Sequence, residues 1–324
     1  MIRVSGLTKD YGTRRAIQEL DFHINKGEIV GFLGPNGAGK TTTMRILSGY
    51  MPPTFGKAEI GGFDLMEKSL EVRRIVGYLP ETVPLYPDMT INEYLNYMAN
   101  LRHISNKKSR IEEVLDKVNL TERATSLIGN LSKGLRQRVG LAQAIFHQPE
   151  VLILDEPTIG LDPAQIREFR NIIQEIGKEH TVILSTHILP EAQQVCSRVL
   201  IINKGHIVAE DSPEQLQARL TGSQHITLRT LGDSDKVEKL LNDIPGVIDP
   251  VFNNDNLWEF ESPAGEEVRP IIARSIVEAG IDLVDLHAEN MSLEEIFLEL
   301  TRDEPRLEFS ESDNIEIEER QENA

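Results

Sequence analysis

The run Gly34-Pro35-Asn36-Gly37-Ala38-Gly39-Lys40-Thr41-Thr42 fits the pattern Gly-x-x-x-x-Gly-Lys-Thr without a mismatch. Glycines so spaced let backbone N–H groups turn inward around phosphate oxygens, and a helix opening behind them adds the positive end of its dipole. Lys40 then reaches the terminal phosphates, and the Thr41 hydroxyl is placed to ligate Mg2+. A second pattern is the apolar run Val151-Leu152-Ile153-Leu154 ending in Asp155-Glu156. A buried strand delivers both carboxylates to the C-terminal edge of a sheet, where open α/β sheets bind ligands. Asp155 would hold Mg2+ through water and Glu156 would polarise an attacking water, so the chemistry is hydrolysis of a nucleoside triphosphate. For guanine one expects Asn-Lys-x-Asp, and Asn203-Lys204-Gly205-His206 lacks the Asp. Tyr11, on the short loop after the first strand, offers a ring on which a base can stack.

Strands and helices must position these groups. Leu20, Phe22 and Ile24 alternate, a turn falls at Asn25-Lys26-Gly27, and Glu28–Leu33 runs apolar into the phosphate loop. A helix follows at Met44–Ser48, stopped by Gly49. From about 84 to 146 the periodicity is helical. Thr90-x-x-Glu93 and Ser109-x-x-Glu112 read as capping boxes. The first would bury Ile91, Tyr94, Leu95, Met98 and Leu101, the second Ile111, Val114, Leu115 and Val118. A third helix begins near Ser132 with Leu135, Val139, Ala142, Ile145 and Phe146 inward. Strand and helix then alternate again: strands at Val151–Leu154 and Thr181–Ser185, and a helix capped by Asp162-Pro163 with Ile166, Phe169, Ile172, Ile173 and Ile176 inward. A hairpin turns at Lys204-Gly205, and a helix runs from Ser212-Pro213 to Leu220. The pattern predicts a mostly parallel sheet covered on both faces. Residues 223–301 read βαββαβ plus a helix at Ser292–Leu300, the ferredoxin-like order.

Leu131-Ser132-Lys133-Gly134-Leu135-Arg136-Gln137-Arg138 is a helix N-terminus with Ser132 at the cap and free amides, a second anion site far along the chain from the phosphate loop. With it the sequence resembles the nucleotide-binding subunits of ABC transporters: Gly34–Thr42, Leu131–Gly134, Leu152–Pro157, Gly160-Leu161-Asp162 and Thr186-His187 occur in that family's order. The resemblance covers about residues 1–220. It implies an α/β P-loop NTPase of the ABC type with a helical subdomain at 84–146, spanning 1–221; beyond it, element order and composition predict a C-terminal α+β unit at 222–302 and a disordered acidic tail at 303–324. It also implies ATP and Mg2+ at a head-to-tail interface, in a homodimer or with a paired ATPase subunit. Each ATP would lie between Lys40 of one subunit and Ser132 and Gly134 of the other, with Asp162 on the interface. His187 would touch the γ-phosphate, and Tyr11 would stack on adenine. Where the family usually has Gln, Leu79-Pro80-Glu81 supplies Glu81 as a Mg2+ ligand. Lys133 and Leu135 replace the usual Gly and Gln of the signature, as in a bacterial exporter subgroup with separate membrane permeases, nearest the gliding-motility-associated type. Residues 222–301 resemble that type's C-terminal extension. An integral permease would dock on residues 84–130 and the Glu81 loop, holding the chain at the cytoplasmic face of the membrane.

Composition narrows the alternatives. Of 324 residues, 34 are Lys or Arg and 52 Asp or Glu, a net charge of −18. Residues 1–221 balance at 26 and 26, so residues 222–324, with 8 basic and 26 acidic, carry the whole excess. This balance argues against nucleic acid as a partner, whose phosphates demand Lys and Arg. The rival reading, a soluble ABC-type ATPase acting on nucleic acid or ribosomes, is also disfavoured by the single phosphate loop and the absence of heptads between Lys40 and Asp155. One cysteine, Cys196, fits a reducing compartment, no apolar run approaches a membrane span, and Met1-Ile2-Arg3-Val4-Ser5 shows no signal-peptide pattern. Residues 303–324 hold nine acids against two bases and bury too little apolar surface to offset their ordering entropy. Deleting Asp303–Ala324 should leave the melting temperature and the ATPase rate unchanged. A rate raised by truncation at low ionic strength alone would instead make the tail a screened electrostatic restraint.

Overall fold

A computed structural model describes residues 1–213, 215–216, 223–253, 256–263 and 267–289. The expected helix at Ser292–Leu300, the acidic tail and most of the helix toward Leu220 lie outside the described residues.

β3 (Ile29–Leu33), β6 (Val76–Leu79), β7 (Val151–Asp155), β8 (Thr181–Thr186), β9 (Arg198–Asn203) and β10 (His206–Asp211) form one sheet in the order β10-β9-β3-β8-β7-β6. All but β10 run parallel, and β10 returns antiparallel to β9 across the predicted Lys204-Gly205 turn. A second, antiparallel sheet orders β2 (Arg14–Ile24), β1 (Ile2–Tyr11), β4 (Phe55–Ile60) and β5 (Phe63–Asp64). The parallel strands read as continuous apolar runs because each feeds two cores. Leu152, Leu154, Val182, Leu184, Val199 and Ile201 join the helical side. Val151, Ile153, Ile183, Leu200 and Ile202 join the side shared with β1, β2 and α1 (Lys40–Leu47). Strand periodicity sends neighbours to opposite faces, and both faces are covered.

The helical side contains α3 (Ile91–Leu101), α4 (Lys107–Lys117), α5 (Lys133–Ile145), α6 (Pro163–Gly177) and α7 (Leu189–Val195), after α2 (Ser69–Ile75) has led into β6. The Thr90 capping box forms as expected, the Thr90 hydroxyl accepting from Glu93 N–H while the Glu93 carboxylate accepts from Thr90 N–H. Three expectations change. α4 starts at Lys107 behind Asn106, so Ser109 lies inside the helix and caps nothing. Leu101, at the last turn of α3, is exposed, and Ala99 takes the inward place. α1 starts at Lys40 itself, four residues before the expected start, because Gly39 at φ 115° turns the chain directly into it. The short elements β4, β5, α2 and α7 carry too few periodic residues to stand out in the sequence.

The C-terminal unit has β11 (Ser223–Leu231), α8 (Ser234–Asp243), β12 (Ile248–Asn253), β13 (Leu257–Pro263), α9 (Arg269–Glu278) and β14 (Asp282–Glu289). Its antiparallel sheet runs β12-β13-β11-β14, the ferredoxin-like order. Trp258, Phe260, Ile226, Leu228, Val237, Leu241, Ile272 and Ile276 fill its own core.

β6 lies so close to α5 that a Cβ on Gly77 would fall 2.2 Å from the Ala144 carbonyl oxygen. Backbone cannot yield as a side chain can, so Gly77→Ala should destabilise the fold by about 1–3 kcal/mol, read as a lower midpoint in denaturant unfolding.

Candidate active site

The register brings four strand ends to one line. Leu33 lies opposite Thr186, Asp155 opposite Ser185 and Leu79 opposite Leu154. The phosphate loop, His187, Asp155-Glu156 and Pro80-Glu81 therefore leave the sheet side by side. A cleft of 620 Å³ opens there, lined by Tyr11, Asn36, Gly37, Gly39, Lys40, Thr41, Thr42, Arg45, Met51, Glu81 and Glu156 among others. The larger concavity around Met1, His23 and Glu59 gathers none of the expected site residues.

Lys40 is buried beneath its own loop. Its Nζ donates to the carbonyls of Gly34 (2.7 Å) and Pro35 (3.2 Å) and lies 3.2 Å from Glu156 Oε1. Glu156 is as deeply buried; its other oxygen accepts from His187 Nδ1 at 2.8 Å. Its backbone sits at φ 47°, a conformation that L side chains rarely adopt, with its N–H on Ser185 O at 3.1 Å. Strain of this kind persists only where the surroundings impose it. Close packing fixes the loop: a Cβ at Gly34 would fall 2.4 Å from Ile202 O, and one at Gly39 2.9 Å from Ala16 O.

Asp155 is buried. Its Oδ1 accepts from Thr41 Oγ1 (3.2 Å) and Ser185 Oγ (2.8 Å), and its Oδ2 faces the Tyr78 hydroxyl at 3.5 Å. Burial raises its pKa above the ordinary carboxylate value; the two hydroxyls oppose this, and the charges of Glu156 and Glu81 add to it. A carboxylate held uncomfortably anionic beside a hydroxyl is suited to a hard cation, and oxygen donors fit Mg2+. Among the described residues no cluster of three or more His, Cys, Asp or Glu could hold a metal by itself. Tyr11 stands at the cleft mouth, 45% exposed, with its hydroxyl on Met51 Sδ at 3.1 Å.

Ser132, Gly134 and Asp162 lie outside this cleft and gather elsewhere on the chain. Ser132 caps α5, accepting from Leu135 N–H. Asp162 caps α6, accepting from the N–H groups of Ala164 (3.0 Å) and Gln165 (2.9 Å), and its other oxygen takes the Gln165 amide. That amide packs on Gly134, where a Cβ would fall 1.9 Å from Gln165 Oε1, and Lys133 lies over Gly160, whose φ is 70°.

Sequence reasoning passed over Glu191. It is buried on α7, its Oε2 accepts from Thr158 Oγ1 (2.5 Å) and faces Thr186 Oγ1 (3.5 Å), and burial raises its pKa. It ties the residues after Glu156 to those before His187. Its only sequence signal was an acid on the inner face of a short helix. Tyr78 and Ser185, the further partners of Asp155, read simply as strand residues.

The sequence model of the family described as "ABC transporter" matches residues 17–159. The chain is 36% identical over 302 residues to the uncharacterised ABC transporter ATP-binding protein YxlF of Bacillus subtilis, covering 93% of this chain and 99% of the relative. It is likewise 36% identical over 302 residues to the bacitracin transport ATP-binding protein BcrA of Bacillus licheniformis, covering 93% and 97%. Among solved structures it resembles that titled an ATP binding subunit of an ABC transporter, with TM-score 0.62 and 31% identity over 68% of this chain and 93% of that one. The fold and the site define a P-loop ATP-binding cassette. The chain belongs to the family of ABC transporter ATP-binding proteins.

In the nucleotide-free protein Asp155 is a load on stability. A folded-state pKa raised above the unfolded value means that stability is full at low pH and is lost as pH rises through the folded pKa. Asp155→Asn keeps an oxygen for Thr41 and Ser185. It should raise the melting temperature of the nucleotide-free protein at pH 7, with the gain shrinking as pH falls toward 4, while weakening Mg2+-dependent nucleotide binding.

Proposed function

We propose that this chain is the ATP-hydrolysing subunit of an exporter, acting as a head-to-tail dimer beneath a separate membrane permease. One observation supports the dimer: the phosphate loop and Glu156 line one cleft, with Asp155 bonded to Thr41 and His187 to Glu156 behind them, while Ser132, Gly134 and Asp162 form a second, separate cluster. A second copy turned head to tail brings the capped N-terminus of α5 over the first copy's nucleotide, supplying free amides and a helix dipole to the phosphates.

Within the cleft Lys40 exchanges Glu156 and the loop carbonyls for the β- and γ-phosphates of ATP. Releasing Lys40 frees Glu156 Oε1, and His187 holds the other oxygen, so that the carboxylate can orient water toward the γ-phosphorus. Thr41 and, through water, Asp155 would hold Mg2+, with Glu81 at the rim; the ion supplies charge neutralisation along the phosphates. Tyr11 is placed for adenine. ATP binding thus favours a closed dimer and hydrolysis an open one.

Supporting the permease, Tyr86 and Tyr97 are exposed side by side on the helical side, the Tyr86 ring 5.7 Å from Tyr97 and 6.0 Å from Tyr94, and Leu101 and Leu127 are exposed on the same subdomain. Clustered aromatics at a surface favour a protein partner. Among the described residues no helix is long and apolar enough to cross a membrane, so membrane attachment at the cytoplasmic face rests on that partner. An antibiotic-like molecule is the cargo that the name of BcrA, a bacitracin transport protein, suggests. The likeness of 222–301 to gliding-motility extensions is the narrower alternative. In this reading 1–221 works as the engine and 222–302 as an accessory unit.

Glu156→Gln should cut turnover by about 10²–10⁴-fold, the range for a positioned acid–base group, with ATP affinity kept and an ATP-bound dimer accumulating in size-exclusion chromatography. Near-normal hydrolysis would remove Glu156 from the mechanism. Lys40→Ala should fail earlier, at ATP binding, measured by equilibrium titration.

A further inference from the structure

A pocket of 540 Å³ lies beside the start of β6, whereas the catalytic cleft opens past the end of that strand. Its walls include Arg74, Arg102, Ser105, Asn106, Ser109, Arg110 and His147. The charge there is unbalanced. Glu113, the one acid in the wall, is taken by Arg110 at 2.6 Å. Among the described residues no carboxylate pairs with Arg74, with Arg102 or with the neighbouring Arg73, whose carbonyl accepts from Arg102 Nη1 at 3.1 Å. Arg102 stands exposed at the pocket wall, where partial burial and the charge of Arg73 lower its pKa.

The helix end at this pocket compounds the imbalance. Asn106, the N-cap of α4, makes no side-chain cap, and the first turn contains Lys107 and Lys108 with no acid. Cations at the positive end of a helix dipole are unfavourable unless an anion sits among them. Arg110 is committed to structure, donating to the Phe146 (2.8 Å) and Ile145 (2.6 Å) carbonyls at the end of α5, so it fixes the wall, whereas Arg102 spends only Nη1, on the Arg73 carbonyl. His147 donates from Nε2 to the Val76 carbonyl, and its Nδ1 is buried without a partner.

We propose that this pocket binds a phosphate-bearing small molecule, with Arg74 and Arg102 as its guanidinium donors and the uncapped N-terminus of α4 as its amide donor. Planar guanidinium forks match phosphate oxygens in pairs. The site is separate from the ATP cleft and does not depend on the catalytic reading of Glu156. A free phosphate compound and a phospholipid headgroup share this chemistry.

The test uses the full chain carrying Lys40→Ala, which silences the phosphate loop, titrated with pyrophosphate at constant ionic strength by calorimetry. The same protein is sedimented with phosphatidylglycerol vesicles and with phosphatidylcholine vesicles as control. The proposal expects pyrophosphate binding with Kd below about 1 mM, or sedimentation with the anionic vesicles alone. Either signal should weaken by about tenfold or more when Arg74→Ala and Arg102→Ala are added, while the melting temperature is kept. The free compound or the vesicle, whichever responds, names the source. Absence of both signals, or a signal that survives loss of both arginines, overturns the site.

Discussion

The ammonium of Lys40, buried between two loop carbonyls and the Glu156 carboxylate, is the interaction on which the catalytic half of the molecule depends. A charge so far from water is tolerable only with partners on every side. Its partners come from two segments, the loop after β3 and the end of β7, and His187 after β8 closes the arrangement on Glu156. The three strands must therefore end level, and the register Leu33↔Thr186 and Asp155↔Ser185 is what makes them do so. Because a sheet slipped by one residue would turn every side chain to the other face, the two cores on either side of the sheet hold the site in register.

The same site is expensive. Asp155 is kept above its ordinary pKa by burial, Glu156 sits at positive φ, and Glu191 is a buried acid with one oxygen unpartnered. Each is a local violation that surrounding structure must offset, and violations of that kind gather where a ligand is to complete the environment. A cation at Thr41 and Asp155 and a phosphate at Lys40 would supply the missing charges. Glu191, reaching Thr158 and Thr186 from α7, ties together the segments bearing Glu156 and His187.

On the far side of β6 the same logic runs with the sign reversed. There cations crowd a helix N-terminus without acids, while the chain as a whole carries −18. Charge is thus distributed by site and not by average: a neutral first two-thirds contains both an acid-rich catalytic edge and an arginine-lined pocket, and the acidic excess sits beyond residue 221.

Much of this was legible in the residues alone. The spacing of Gly34, Gly39 and Lys40 specifies a phosphate loop because the backbone requirement is local. The run Val151–Leu154 ending in two acids specifies a strand delivering carboxylates for the same reason. Caps at Thr90, Ser132 and Asp162 were readable because a cap is a contact between residues three apart or fewer. Ser109 misled because a capping-box pattern also arises inside a helix, and Leu101 because a 3.6-residue period drifts off the buried face by the last turn. Unreadable was everything that needed sequence-distant segments to meet: the packing of Gln165 on Gly134, the clamp of Glu191, and the convergence of Arg74, Arg102 and His147. Local geometry is written in neighbouring residues, whereas burial and charge balance are properties of surroundings that exist only once the chain has folded.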